Sequence, residues 1–340
     1  MKGKKIVALG EVMMRLSPNG NTRFSQAKSF EINFGGAEAN VSVFLSKLLE
    51  DVKFVSKVPD NPIGHMALDF LKGNGVNTEN VILGGDRLGV YYLEKGTSVR
   101  GSKVLYDREN SAMASLKMEE FKLEEIFKDA ELFHVSGITV ALGDENIKFV
   151  KSCIEYCKNN SIKVSVDLNY RSKLWSFFEF TETMKEIVKG ADIVFGWIDL
   201  DSDNKEFKCI KFESLEEEKK YFNRVFKRMN KELGVKAIAT TLRENISSSR
   251  NAIRGIFIDE SKITYSNRYE FEIIDRVGAG DAFSGGVLYN FIRNNDAQKI
   301  IEFGTKAGVY KHTVLGDVLL ASEDEIDSIS SSNENFGVSR

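Results

Sequence analysis

Between residues 131 and 197 the chain reads ELFHVSG (131–137), DENIKFVKSCIEYCKNN (144–160), KVSVDLN (163–169), FTETMKEIVKGA (180–191) and DIVFGW (192–197). Short β-branched runs alternate with segments whose apolar residues recur at helical spacing, so strand and helix take turns. Strands separated by helices of that length pair in parallel through right-handed crossovers. This pattern predicts an α/β fold, three layers deep, with a mostly parallel central sheet.

Working outward, KIVALG (5–10) is a continuous apolar run suited to a strand buried on both faces. RLSP (15–18) and RFSQAKSFEINFGG (23–36) alternate like exposed antiparallel strands, and AEANVSVFLSKLLE (37–50) has the spacing of a helix. GVYYLEKGTSVRGSKVLYDR (89–108) reads as a hairpin. Downstream, residues 211–234 form a charged amphipathic helix with a solvated outer face. Strands return at KAIATTL (236–242), IRGIFID (253–259), KITYSN (262–267) and FEIID (271–275). The expected organisation is one domain over 1–321, with lid strands inserted at about 12–34 and 88–108, and a polar tail over 322–340. No internal repeat is present.

Lys plus Arg total 47 against 50 Asp plus Glu, a formal net charge of −3, which gives no electrostatic reason to expect nucleic acid. Cys153, Cys157 and Cys209 form no CxxC pair and leave an odd thiol, which argues against a disulfide framework or a zinc site. The N-terminal apolar run is too short for a signal peptide, and no stretch approaches the length of a membrane span. A cytoplasmic protein acting on small molecules is expected. His65, His134 and His312 are scattered and read as structural.

The chemistry gathers in DRVGAGDAFSGG (275–286). RYEFEII before it reads as a strand and DAFSGGVLYNFIRN within it and beyond as a helix, so Gly278, Ala279 and Gly280 form a strand-to-helix turn. Backbone amides of such a turn converge at the positive end of the helix and make an anion site, here for phosphate. A dinucleotide fingerprint would need a third glycine where Phe283 stands, and its turn would follow the first strand. Neither a Walker A loop nor a protein-kinase HRD or DFG set occurs. An acid in a first helical turn is often just a complement to the helix dipole. Beside converging amides, however, Asp281 can accept the proton of an attacking hydroxyl while they hold the transferring phosphoryl group.

DRVGAGD resembles the C-terminal signature of the ribokinase-like carbohydrate kinases, the PfkB family, and GGAEANVS (35–42) resembles its N-terminal counterpart. The likeness runs to about residue 320. Within the family, GEVMMRLSP, GGAEAN, YDRENSA, DLNYRSKLW, TLREN, DRVGAGDAF and KHTVLGD are most similar to 2-keto-3-deoxygluconate kinases. The resemblance implies a ribokinase-like fold with a small β-sheet lid, and ATP-dependent phosphorylation of the 6-hydroxyl of a six-carbon keto acid. Asp281 would be the base. Gly35, Gly36, Ala37 and Asn40 would hold sugar hydroxyls, Tyr91 would reach the substrate from the lid, and Asp317 would be an acidic substrate contact. Asn169 and Thr241, with Gly278 and Gly280, would lie on the nucleotide side, and residues 306–313 would line the adenine cleft. Magnesium would be held on the phosphates through water, with no protein ligand of its own.

A sugar acid carries a carboxylate, which arginine grips in a fork. Arg108 and Arg171 are the candidates: Tyr106 and Arg108 leave one face of a strand, and Arg171 follows the end of KVSVDLN, where ligands gather in open α/β sheets. One departure stands out. Many family members carry N-x-x-E in support of the metal's water shell, whereas this chain has Trp197 and Leu200, with Asp199 or Asp201 as possible substitutes. The competing readings are a fructokinase or other neutral-sugar kinase of the same fold, and a catalytically silent sugar-binding or regulatory protein. The half-exposed lid suggests a homodimer or higher homo-oligomer through that surface.

Overall fold

The computed structural model describes residues 3–202, 210–247, 249–260 and 262–330. In chain order the elements are β1 (Lys5–Leu9), β2 (Met13–Pro18), β3 (Phe30–Gly35), α1 (Ala37–Lys47), β4 (Asp51–Val58), α2 (Pro62–Gly73), β5 (Val81–Leu83), β6 (Val90–Glu94), β7 (Lys103–Asp107), α3 (Leu123–Ile126), β8 (Leu132–Ser136) and α4 (Gly137–Val140). There follow α5 (Asp144–Asn159), β9 (Lys163–Asp167), α6 (Phe177–Ile187), β10 (Ile193–Phe195), α7 (Leu215–Leu233), β11 (Ala237–Asn245), β12 (Arg250–Asp259), β13 (Ile263–Glu272), α8 (Ala279–Phe291), α9 (Ala297–His312) and α10 (Glu323–Asp327).

Nine strands form one sheet in the order β13-β12-β11-β10-β9-β8-β1-β4-β5. It is parallel from β11 to β5 and antiparallel at β12 and β13. Successive side chains of each strand leave opposite faces, so both faces must be apolar. Val7 and Leu9 pack with Phe149, Met184 and Phe226 on the side of α5, α6 and α7. Ile6 packs with Phe44, Val287 and Phe303 on the side of α1, α8 and α9. That two-sided burial is why KIVAL is uninterrupted by polar residues, and it gives the three layers. The chain leaves β1 in one direction to β4 and in the other to β8, so the strand order reverses beside β1. A crevice opens there at the carboxyl ends of the strands.

The lid is a separate four-stranded sheet, β3-β2-β6-β7, whose outer pair joins are antiparallel and whose β2–β6 join is parallel. Its register separates two rows of side chains. Ile32, Leu16, Tyr92 and Leu105 are cross-strand neighbours on one face, and Asn33, Arg15, Tyr91 and Tyr106 on the other.

The structure corrects the reading of KITYSN and FEIID as two strands: they are one, β13, paired along its length with β12. The register shifts between Arg254 and Ile256, where Ser266 Oγ accepts the Gly255 amide at 2.8 Å. The stretch from β4 to β5 was passed over in the sequence, although Asn61 caps α2 by accepting the Ile63 and Gly64 amides ahead of Pro62. The start of the polar tail is ordered by a capping box, Ser322 with Glu325, while residues 331–340 lie outside the described residues. No helix among the described residues is long and apolar enough to cross a membrane.

Candidate active site

Gly278 caps α8 in the left-handed region, with φ of 79°, and a Cβ there would overlap the carbonyl oxygen of Asp317. Only glycine fits. No side chain caps this helix, so the amides of Gly280 and Asp281 face the crevice at the positive end of the helix dipole. Gly280 is exposed, and a Cβ on it would meet nothing within 4 Å. Its bare Cα leaves those amides open to an anion as broad as a phosphate.

Asp281, half-buried, accepts from Asn40 Nδ2 at 2.6 Å, and Asn40 Oδ1 accepts the Gly36 amide at 3.3 Å. One asparagine thus joins the Gly35–Gly36 turn to the carboxylate. A Cβ on Gly36 would overlap the Glu11 carbonyl, and one on Gly35 the carboxylate of Asp317. Ala37 opens α1 directly behind this turn.

Asp281 has two acidic neighbours that sequence reasoning did not assign. Asp167, at the end of β9, accepts the Asn169 amide at 3.1 Å and the Ser284 hydroxyl at 3.4 Å. Glu38, in the first turn of α1, is buried and accepts the Ser136 amide at 2.7 Å and the Thr139 hydroxyl at 2.8 Å. Burial pushes the Asp281 carboxyl up to about 7; the charges of Asp167 and Glu38 push the same way, against the Asn40 hydrogen bond and the Arg171 charge. Burial likewise raises Asp167 to about 7, with Glu38 adding and Arg171 opposing, and burial raises Glu38. Both aspartates lay inside quoted motifs or beside them, but their convergence depends on β9 meeting α8 across more than a hundred residues.

A base must be ionised to accept a proton. If Asp281, its carboxyl pushed up to about 7, acts as the base, kcat/KM is expected to fall about tenfold per pH unit below that value and to level off above it. Because Asp167 titrates against Asp281, the apparent value belongs to the pair. A pH–rate series at saturating magnesium checks this; a flat profile from pH about 5.5 to 8 would remove Asp281 from the rate-limiting proton transfer.

Two cavities lie near this centre, though neither is lined by Asp281, Asn40 or the Gly35–Gly36–Ala37 turn. The lid-side cavity, about 690 Å³, is lined by Met13, Tyr106, Arg108, Ile138, Arg171 and Lys173, among others. The helix-side cavity, about 520 Å³, is lined at one end by Asp167, Asn169, Thr241, Gly280 and Ser284, and at the other by Phe177, Phe180, Trp197 and Tyr221. Arg171 lines the first, Asp167 the second, and both act electrostatically on Asp281. Arg108 is buried and paired with Glu11, which also accepts from Ser111, while the buried Arg108 Nε has no hydrogen-bond partner. Lys173, unforeseen, sits over the Tyr106 ring and donates to the Val104 carbonyl at 3.0 Å.

Several expectations are placed differently. Tyr91 and Asp317 are buried and hydrogen-bonded to each other, with Asp317 also held by Arg15 at 2.6 Å. They stand behind Gly35 and are already engaged. Asp199 and Asp201 are both paired with Arg224, and Arg228 approaches Asp201 at 3.4 Å. Trp197 donates its indole N–H to the Tyr221 hydroxyl at 3.0 Å. In the 306–313 stretch Lys311 and His312 point inward, His312 Nδ1 lying 2.7 Å from the Gly308 carbonyl.

A family profile described as pfkB family carbohydrate kinase matches residues 3–198 and 256–322. The structure is similar to that of a 2-dehydro-3-deoxygluconokinase from Thermotoga maritima, with a TM-score of 0.89 and 37% identity, covering 95% of this chain and 98% of that one. A 2-dehydro-3-deoxygalactonokinase from Haloferax volcanii is 28% identical over 334 residues, 96% of each chain. A fructokinase from Xylella fastidiosa with bound ATP shares the fold at a TM-score of 0.73 and 19% identity, over 96% of this chain and 98% of that one.

Proposed function

The chain belongs to the pfkB family of carbohydrate kinases, and on that premise we propose that it transfers the terminal phosphoryl group of ATP to the 6-hydroxyl of a sugar acid, 2-keto-3-deoxygluconate. What supports this reading is the pair of cavities whose lining residues Arg171 and Asp167 both act on Asp281, one cavity also lined by Arg108 and the other by Gly280 at the open helix N-terminus. A keto acid with its carboxylate against Arg171 and beside Arg108, which is already paired with Glu11, and with its far hydroxyl at Asp281 matches that arrangement, and a neutral sugar would leave the exposed Arg171 unanswered.

Phosphoryl transfer needs alignment and charge neutralisation more than a strong base. Asp281 takes the hydroxyl proton, and the turn at Gly278, Ala279 and Gly280 stabilises charge on the transferring group through the amides of Gly280 and Asp281, the Ala279 amide being held by the Arg276 carbonyl. Gly35, Gly36, Ala37 and Asn40 hold the sugar. Tyr106 closes its lid side, and Tyr91 and Asp317 form a back wall where a substrate hydroxyl competes with their mutual hydrogen bond. Asn169 and Thr241 face the phosphates. Among the described residues no group of three or more acids, histidines or cysteines could hold a metal ion, yet Asp167 and Asp281, close enough for the charge of one to act on the other, fit a magnesium ion held through water. When bound, that ion would neutralise phosphate charge.

ADP release with ATP, magnesium and a panel of sugars tests the reading. Turnover of the keto acid well above fructose and ribose is expected. Equal use of fructose would favour the neutral-sugar alternative, and no release with any sugar would favour a silent binding protein. The reading includes a homodimer through the lid, supported by the outward row in which Ile32 is 50% and Leu105 55% exposed. Ile32→Asp should halve the mass seen by light scattering; an unchanged mass would place the contact elsewhere.

A further inference from the structure

Arg15 belongs to the lid strand β2, yet it is 1% exposed and points into the protein. Its Nη2 donates to Asp275 at 2.7 Å, its Nη1 to Asp317 at 2.6 Å and its Nε to Ser17 Oγ at 3.0 Å. Asp275 in turn accepts the Val277 amide at 3.1 Å and the Gly316 amide at 3.2 Å, and so holds both the entry to the Gly278–Gly280 turn and the loop behind it. Asp317 lies against Gly35 through its side chain and against Gly278 through its carbonyl. Tyr91 reaches the other oxygen of Asp317 from the neighbouring lid strand.

One guanidinium therefore connects the lid, the turn behind the sugar side and the turn at the helix N-terminus. A buried ion network of this kind is a poor source of stability, since apolar residues of similar volume often do as well. What it supplies is fixed geometry: a planar fork that bridges two carboxylates at once, which the single point charge of a lysine does not reproduce. We infer that Arg15 is a positioning residue that fixes the anion turn relative to the sugar-side turn and the lid, so that hydroxyl, base and phosphoryl group are aligned in one frame. This inference rests on the kinase reading for its catalytic consequence, but not for the geometry it predicts.

The test uses Arg15→Lys and, because one unpaired buried charge can unfold a protein, a second variant that removes one charge of each sign, Arg15→Met with Asp275→Asn, leaving Asp317 to face the buried Lys311. In the ligand-free protein, amide hydrogen exchange over residues 276–280 should speed up in both variants while exchange in the central strands stays as in the parent. Well below the melting temperature, kcat should drop about a hundredfold, the cost of a small misalignment, with KM for each substrate changed far less. Unchanged exchange over 276–280, or parental kcat in either folded variant, would overturn the role. If the parent itself phosphorylates no sugar, the kinase reading fails, and the exchange result still decides the positioning claim.

Discussion

Asp281→Asn is expected to lower kcat by about a hundredfold to ten-thousandfold, with dissociation constants for the sugar acid and for ATP changed only a few-fold. Asparagine keeps the shape and still accepts the Asn40 hydrogen bond, now 2.6 Å long, but it cannot take a proton from the attacking hydroxyl. The loss falls on a step that exists only in the transition state. The same variant should be more stable than the parent near pH 8. Burial raises the folded-state carboxyl to about 7, above its unfolded value of ~3.9, so the stabilisation present at low pH is lost as pH rises through 7. Removing the charge removes that loss. Isothermal titration and thermal melts at pH about 5 and 8 check both parts: weakened binding at unchanged kcat, or a melting temperature lowered at pH 8, would contradict this role.

The second large effect concerns selectivity. Arg171→Met should raise KM for the keto acid by about tenfold to a hundredfold, the worth of a hydrogen bond to a charged group, with fructose turnover little changed at about pH 8 or above, where Asp281 stays ionised without the Arg171 charge that holds its carboxyl down. The preference for the acid should shrink by the same factor. Arg171 suits this experiment because it is exposed and methionine can replace its stem without burying a lone charge. Arg108 does not, because its removal would leave the buried Glu11 carboxylate unpaired, a defect that costs about 3–5 kcal/mol and would confuse binding with folding. Kinetics for both sugars decide the matter; an equal fall for acid and neutral sugar would mean that Arg171 does not read the carboxylate.

Local patterns carried the parts of this account that depend on neighbouring residues. KIVAL, KVSVD and DIVF were legible because strands buried on both faces are rich in β-branched and other apolar residues with no alternating polar face, and the Gly278 turn was legible because positive φ and close approach both select glycine. The lid hairpin was legible from alternation, which also set Tyr106 toward the cavity and Leu105 toward solvent. Partnerships were not legible. Glu11 in front of Arg108, Glu38 near Asp281 and Arg15 between Asp275 and Asp317 join residues about a hundred to three hundred positions apart. A lone acid or arginine in sequence gives no sign of which charge it will meet. For the same reason Tyr91 and Asp317 looked like free ligand contacts, and Asp199 and Asp201 like spare carboxylates, until α7 supplied Arg224 and Arg228.

With the substrate's carboxylate proposed at the arginines and its far hydroxyl at Asp281, the position of the transferred phosphate is the decisive observable. NMR of the product formed from 2-keto-3-deoxygluconate and ATP should show phosphorus coupled to C6. Phosphorus coupled to a carbon nearer the carboxylate would contradict the proposed orientation, and a keto acid left unphosphorylated while fructose is consumed would contradict the assignment itself.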